Sequence, residues 1–512
     1  MSQHPNPVLR GSQPDPSVCR FGDQYVLVTS SAVLFPGIPV HVSRDLVHWT
    51  LASHVIDRPE RLAGTGPDVE DGVWAPSVRS HDGMLYVVYT ISVARTRHRM
   101  FVATAMDPGG PWSDPIELDA DGFDPSLFFD VDGKAWLTGC RDSTAPDQGP
   151  GEIWMREFDA STSQLIGPTH TLWHGALRGA WIEAPHLFLR DGRYHLLAAE
   201  GGTERGHSVV AAVADTVMGP YRGDPRNPLL THRHLGEEVE VQNVGHADLV
   251  DTPEGQTWAL VLGARAESGF HTTGRETFLV PAQWRPEGLV LAPADGRVPE
   301  VVDVIDAAEG STSPNLDWVS LRGPVNQSFS EDAVTMSPRP SSLADSSTPA
   351  FLALRQDEPA YSLRASVLAP ETGDHVGLAV FHHHDRFATL LVERRQDGAI
   401  EVRCSLRRSG REQVLAASLR SDQLLNLWIE SDGVQVRLGA GIQLLAEIPA
   451  RLFSAEDAGG FGGTLIGLLA QGSAAAAPVT FAGVHYERYT RGSTKSIAPE
   501  AKALRVEPAP VG

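Results

Sequence analysis

The sequence predicts an all-β protein, a five-bladed β-propeller followed by a β-sandwich of jelly-roll-like character. Three observations predict it. One phrase recurs five times in the first 270 residues: a short Pro- or Ala-containing motif, an apolar stretch, an acidic-Gly turn, then an aromatic-apolar strand. Gly 49 and Pro 37 favour many turns over long helices. Beyond residue 350, runs such as YSLRASVLA, HVGLAVFH and FATLLVERR are short strands broken by GD, DG and SG turns, a spacing that suits a sandwich.

The copies are PDPSVCRFGDQYVLV from Pro14, WAPSVRSHDGMLYVVY from Trp74, FDPSLFFDVDGKAWL from Phe123, EAPHLFLRDGRYHLLAAEGG from Glu183 and GHADLVDTPEGQTWALVLG from Gly245. A period of about fifty to sixty residues, each holding several strands, is the pattern of blades packed around an axis. At 512 residues two domains are expected. Residues 1–305 form the propeller and catalytic domain, 306–323 a polar linker containing AAEGSTSPN, 324–490 the sandwich, and 491–512 a loosely ordered tail poor in apolar residues.

The formal charge of −22 excludes nucleic acid and anionic membrane as partners, since both require a basic surface. A neutral or cationic ligand remains open, as does a homo-oligomer. Cys19, Cys140 and Cys404 are too few for a disulfide set and lack zinc-site spacing. The start, MSQHPNPVLRG, has no apolar signal core, and no later run is long enough to span a bilayer, so a soluble, cytoplasmic protein is expected. There is no G-x-S-x-G elbow and no H-E-x-x-H helix. GGFGG at Gly459 lacks a phosphate-loop lysine, and HHHD at His382 reads as a solvated hairpin turn.

Aligning the copies on their turns places Asp15, Ala75, Asp124, Ala184 and His246 at equivalent positions, with Trp74 and Glu183 one residue earlier. If these positions begin the innermost strand of each blade, three carboxyl groups from distant sequence face one central pocket. Glycoside hydrolysis requires an acid for the leaving oxygen and a second carboxylate as base or nucleophile. Flanking prolines fix Asp15 in direction. Glu183 lies between apolar Ile182 and Ala184, where desolvation raises its pKa and keeps the acid protonated. Asp124 repeats the Asp15 setting and would orient Glu183 and hold up its pKa. A single Asp-Pro is an ordinary turn; two DPS motifs and one EAP at matching positions point to catalysis. Trp74 reads as pocket wall or core, and His246 as pocket lining or a structural histidine. Asp23, Asp82, Asp132 and Asp191 have only turn roles.

The set NPVLRGSQPDPSV, FPGIPVHVSRDLVHW, WAPSV, GFDPSLF, IEAPHLF with AAEGGT, NVGHADLV and GRETFLVPAQW resembles glycoside hydrolase family 43, in its β-xylosidase and α-L-arabinofuranosidase branch with a C-terminal sandwich. The resemblance implies an inverting, exo-acting hydrolase of terminal pentoses, β-D-xylosidase first and α-L-arabinofuranosidase second. It implies Asp15 as general base, Asp124 as pKa modulator and Glu183 as general acid. It further implies Arg275 as a binder of sugar hydroxyls, Trp74 and Phe35 as pocket wall, and Phe461, in the glycine segment AGGFGGTLIG, as a rim aromatic. His246 matches the central histidine beside a calcium ion or water, so no cofactor is required and the axis admits Ca²⁺ through water. Two departures, Ala32 where an aromatic is common and a short loop between Thr90 and Arg99, touch the xyloside-versus-arabinoside choice. The rival of another class is a non-catalytic sugar-binding propeller, which gains nothing from three uncompensated acids.

Overall fold

The computed structural model describes residues 2–62, 66, 68–177, 180–304, 318–489 and 504–505. The chain divides into two compact units, Met1–Ala266 with Arg275–Leu316, and Glu267–Gly274 with Asp317–Gly512.

The first unit is a propeller of five four-stranded antiparallel sheets in chain order. The innermost strands are Ser17–Phe21, Gly72–His81, Phe123–Phe129, Ile182–Arg190 and Val241–Asp251. Each blade is covered on both faces by its neighbours, so its strands read as nearly continuous apolar runs. The period of two sends alternate residues to opposite neighbours. In blade two, Val87 and Tyr89 pack towards blade one, while Tyr86 and Val88 pack towards blade three. In blade four, Leu196 joins blade three and Leu197 joins blade five. A fifth apolar layer, with Val18, Leu27, Val250 and Leu279, joins blade five to blade one and closes the ring. Near the closure Gln13 N donates to Arg275 O at 2.9 Å, and Ser2–Pro5 pairs antiparallel with Val301–Val304.

The second unit is a sandwich. One sheet contains, in spatial order, Arg411–Arg420, Ile400–Arg408, Arg386–Arg394, His375–His383, Leu465–Gln471, Phe351–Arg355 and Val319–Leu321. The other runs from Gln327–Phe329 through Ala333–Met336, Val479–Tyr489, Ala360–Leu368, Leu424–Asp432, Gln435–Ala440 and Gln443–Pro449. Their inner faces bury Leu363, Val376, Leu378, Val402, Ile429 and Phe481.

Several expectations meet the structure here. Residues 267–274, expected within the first domain, group with the second unit. There His271 N donates to Glu456 Oε2 (3.0 Å), Gln356 Nε2 to Thr272 Oγ1 (2.9 Å) and Thr464 N to Thr272 O (3.0 Å). Most of the expected linker, 306–317, lies outside the described residues, but Val319–Leu321 towards its end is a sandwich strand. The expected tail also lies outside them, except that Leu504 and Arg505 pair parallel with Ala446 and Glu447. His382 is not in a solvated turn. Its strand continues to His383, so the His382 ring is buried and its Nε2 lies 3.3 Å from Gly459 O. Among the described residues no helix is long and apolar enough to cross a membrane.

Candidate active site

The five equivalent motif positions share one backbone conformation. Asp15, Ala75, Asp124, Ala184 and His246 all have positive φ, at 57°, 37°, 53°, 52° and 42°. Non-glycine residues adopt this left-handed region at a cost on the order of 1 kcal/mol. In blades two to five the kink coincides with a register shift against the next strand, between Trp74 and Ser77, Phe123 and Ser126, Glu183 and His186, and around Gly245. Such a bulge re-aims a side chain.

Asp15 is buried among donors. Ser30 Oγ donates to its Oδ2 at 2.6 Å, while Arg275 Nη1 and His246 Nδ1 lie 3.3 and 3.4 Å from Oδ1. Ser30 in turn accepts from the Ala75 N–H at 2.7 Å, tying blade one to blade two. Burial works to raise the Asp15 pKa, but Arg275, His246 and the Ser30 hydrogen bond outweigh it and hold the carboxyl below its ordinary value.

Asp124 and Glu183 experience the opposite field. Burial and then the negative charge of Asp15 push Glu183 up to about 7. Burial, Glu183 and Asp15 also raise Asp124, although its Oδ2 accepts the Ala184 N–H at 3.2 Å. Glu183 and Asp15 thus both oppose ionisation of Asp124, while Glu183 itself keeps its proton up to about pH 7. An ionised carboxylate and a protonated one within one ring of strands can activate water and protonate a leaving oxygen.

The remaining expected residues are placed as follows. Trp74 Nε1 donates to Glu70 O at 2.7 Å, and its ring meets Phe123 edge-on at 6.1 Å. Arg275, besides Asp15, donates to Thr203 Oγ1 at 3.2 Å. Phe35 is only 7% exposed and packs in the apolar layer of blades one and two with Ile38, Val73 and Tyr89. Phe461 is half-buried and belongs to the second unit.

A model of glycosyl hydrolases family 43 matches residues 4–290, and one of the β-xylosidase C-terminal concanavalin A-like domain matches 310–487. The chain belongs to glycoside hydrolase family 43. It is 34% identical to a xylosidase/arabinosidase of Butyrivibrio fibrisolvens, across 91% of this chain and 95% of that protein. It is 30% identical to a non-reducing end α-L-arabinofuranosidase of Bacteroides ovatus, across 91% of each. The crystal structure of a xylan β-1,4-xylosidase from Bacillus halodurans superposes with a TM-score of 0.87 at 29% identity, covering 94% of this chain and all of that one.

Several side chains of this family 43 hydrolase were not anticipated. Ser30 and Thr203 hold Asp15 and Arg275, and Thr203 stands at the end of the AAEGGT motif. Trp181 stacks on Phe123 at 6.1 Å, and His98 lies 5.3 Å from Trp74. His98 lies in the strand Arg97–Ala105, just after the short hairpin, opposite Ser92. Gly245, within NVGHADLV, is required by close approach: an added Cβ would stand 2.4 Å from the buried His207 ring.

Proposed function

We propose that this glycoside hydrolase is an exo-acting β-D-xylosidase that releases xylose from the non-reducing ends of short xylo-oligosaccharides by inversion, with α-L-arabinofuranosidase as its second activity. The opposed protonation of Asp15 and Glu183 carries the reading. Asp15, kept ionised by Arg275 and His246, takes a proton from water as the water oxygen bonds to the anomeric carbon. Glu183 gives its proton to the glycosidic oxygen as the C–O bond breaks, leaving the alcohol and a sugar of inverted configuration. The cycle ends with the Asp15 proton passing to solvent and Glu183 reprotonated. Asp124, whose carboxyl is raised by burial and by Glu183, is assigned to orienting the acid, and Arg275, held by Asp15 and Thr203, to binding sugar hydroxyls beside the base. Trp74 and Phe123 supply apolar wall for the pentose ring. The arabinoside reading is supported by the relatives above, one named for both activities and one for arabinofuranoside cleavage.

Turnover of aryl β-xyloside and aryl α-arabinofuranoside, measured side by side, tests the substrate. Proton NMR of the first product tests the stereochemistry. The xyloside is expected to be the faster substrate and α-xylose the first anomer. No turnover of either glycoside, or initial β-xylose, would overturn the reading.

A further inference from the structure

Two residues further along each innermost strand, the five phrases place a second ring: Ser17, Ser77, Ser126, His186 and Asp248. Its only carboxylate is Asp248, which is 0% exposed. From blade two, Arg79 sends its guanidinium into this ring. Nη1 donates to Asp248 Oδ2 at 2.8 Å and to Ser17 Oγ at 3.3 Å, and Nη2 donates to Asp248 Oδ1 at 3.0 Å. Nη2 also lies 2.8 Å from His186 Nδ1, which Ser126 Oγ approaches at 3.1 Å. Asp248 accepts three further donors: Ser17 Oγ at 2.7 Å, Val18 N at 3.0 Å and Leu249 N at 2.9 Å. The fork-to-fork pairing is the strongest geometry open to a carboxylate and an arginine.

A calcium ion would need about six to eight oxygen ligands at about 2.3–2.6 Å. The ring offers one carboxylate, and both of its oxygens are already taken by the guanidinium, a hydroxyl and two backbone amides. His246, two residues before Asp248, turns Nδ1 to Asp15 instead. Among the described residues, the one group of three His, Cys, Asp or Glu with converging ligand atoms is His383, His384 and Asp385, in the sandwich. A divalent ion added to a carboxylate already matched by Arg79 would carry unbalanced buried charge. The ring therefore leaves no carboxylate oxygen open as a direct ligand, and an ion held there through water, as the family resemblance admits, would share the ring with the Arg79 guanidinium.

We propose that the guanidinium of Arg79 is itself the axial cation of this propeller, joining the blades around Asp248, and that the axis takes no divalent metal.

Elemental analysis of the purified full chain, with thermal melts in chelator and in added Ca²⁺, tests this without reference to any substrate. Expected are no stoichiometric divalent metal and an unchanged melting temperature in both conditions. Arg79→Ala removes one partner of a buried pair and is expected to melt several degrees lower. Millimolar guanidinium should restore part of that loss. A stoichiometric divalent ion in the wild type, a melting temperature that falls on chelation, or an Arg79→Ala variant that melts like the wild type would overturn the proposal. If the alanine variant fails to accumulate, the metal content and chelator response of the wild type decide alone.

Discussion

At the scale of single residues, the site works by giving like groups unlike neighbours. Asp15 and Glu183 are both crowded by protein, yet only Asp15 has a guanidinium and an imidazole against its oxygens. Activity is therefore expected to fall as pH rises through about 7, where Glu183 loses its proton. Arg275→Ala should raise the Asp15 pKa and move the acidic limb of the pH–rate profile upwards, because the guanidinium is the largest influence opposing burial there. An acidic limb that stays in place in that variant would remove Arg275 from the role. Glu183→Ala should slow substrates with poor leaving groups by about 10²–10⁴-fold and activated aryl glycosides much less. Stability follows with its own sign. The raised Glu183 pKa contributes stability fully present below about 4.5 and lost as pH rises through about 7, whereas the lowered Asp15 pKa contributes stability present above 3.8 and lost as pH falls below it. Glu183→Gln should accordingly melt higher than the wild type at pH above about 7, checked by calorimetry across the range.

Among the elements, one short connection is fixed by close backbone approach. The segment 267–274 ends at Gly274, whose φ is 79° and whose added Cβ would lie 2.7 Å from Gly463 Cα. Arg275 is the next residue. Gly274→Ala is expected to destabilise the protein by about 1–3 kcal/mol, from backbone strain and a clash with main chain that cannot rotate away. A melting temperature equal to the wild type would show that the two backbone segments of this approach can yield. In blade two the strand Arg97–Ala105 pairs His98 with Ser92 and brings its ring 5.3 Å from that of Trp74.

For the whole molecule, the repeat made the propeller legible. Five copies at a period of about fifty to sixty residues reveal five blades. The acids were legible for the same reason, because a repeat position is a spatial position. What escaped depends on contacts that periodicity does not encode. Ser30 and Thr203 are ordinary polar residues until the fold sets them against Asp15 and Arg275. Arg79 and Asp248 were inside quoted phrases, but their pairing spans 169 residues. The assignment of 267–274 to the second unit has no compositional signal at all, and it bears on truncation. A chain ending near residue 304 would leave Thr272 and His271 without Gln356 and Glu456. It should melt below the full-length protein, as a thermal comparison of the two would establish.

The five left-handed turns around the axis have one more consequence. They are alike in backbone, yet two hold aspartate, two alanine and one histidine. The frame has nearly five-fold symmetry while its charge distribution has none. Around that frame the Asp15 carboxyl is held below its ordinary pKa, while those of Asp124 and Glu183 are raised above theirs. Rotation by one blade would exchange neither geometry nor space, only chemistry. The same left-handed turn thus carries an acid in two blades, a buried alanine in two and a histidine in one, so the backbone repeats while the chemistry does not.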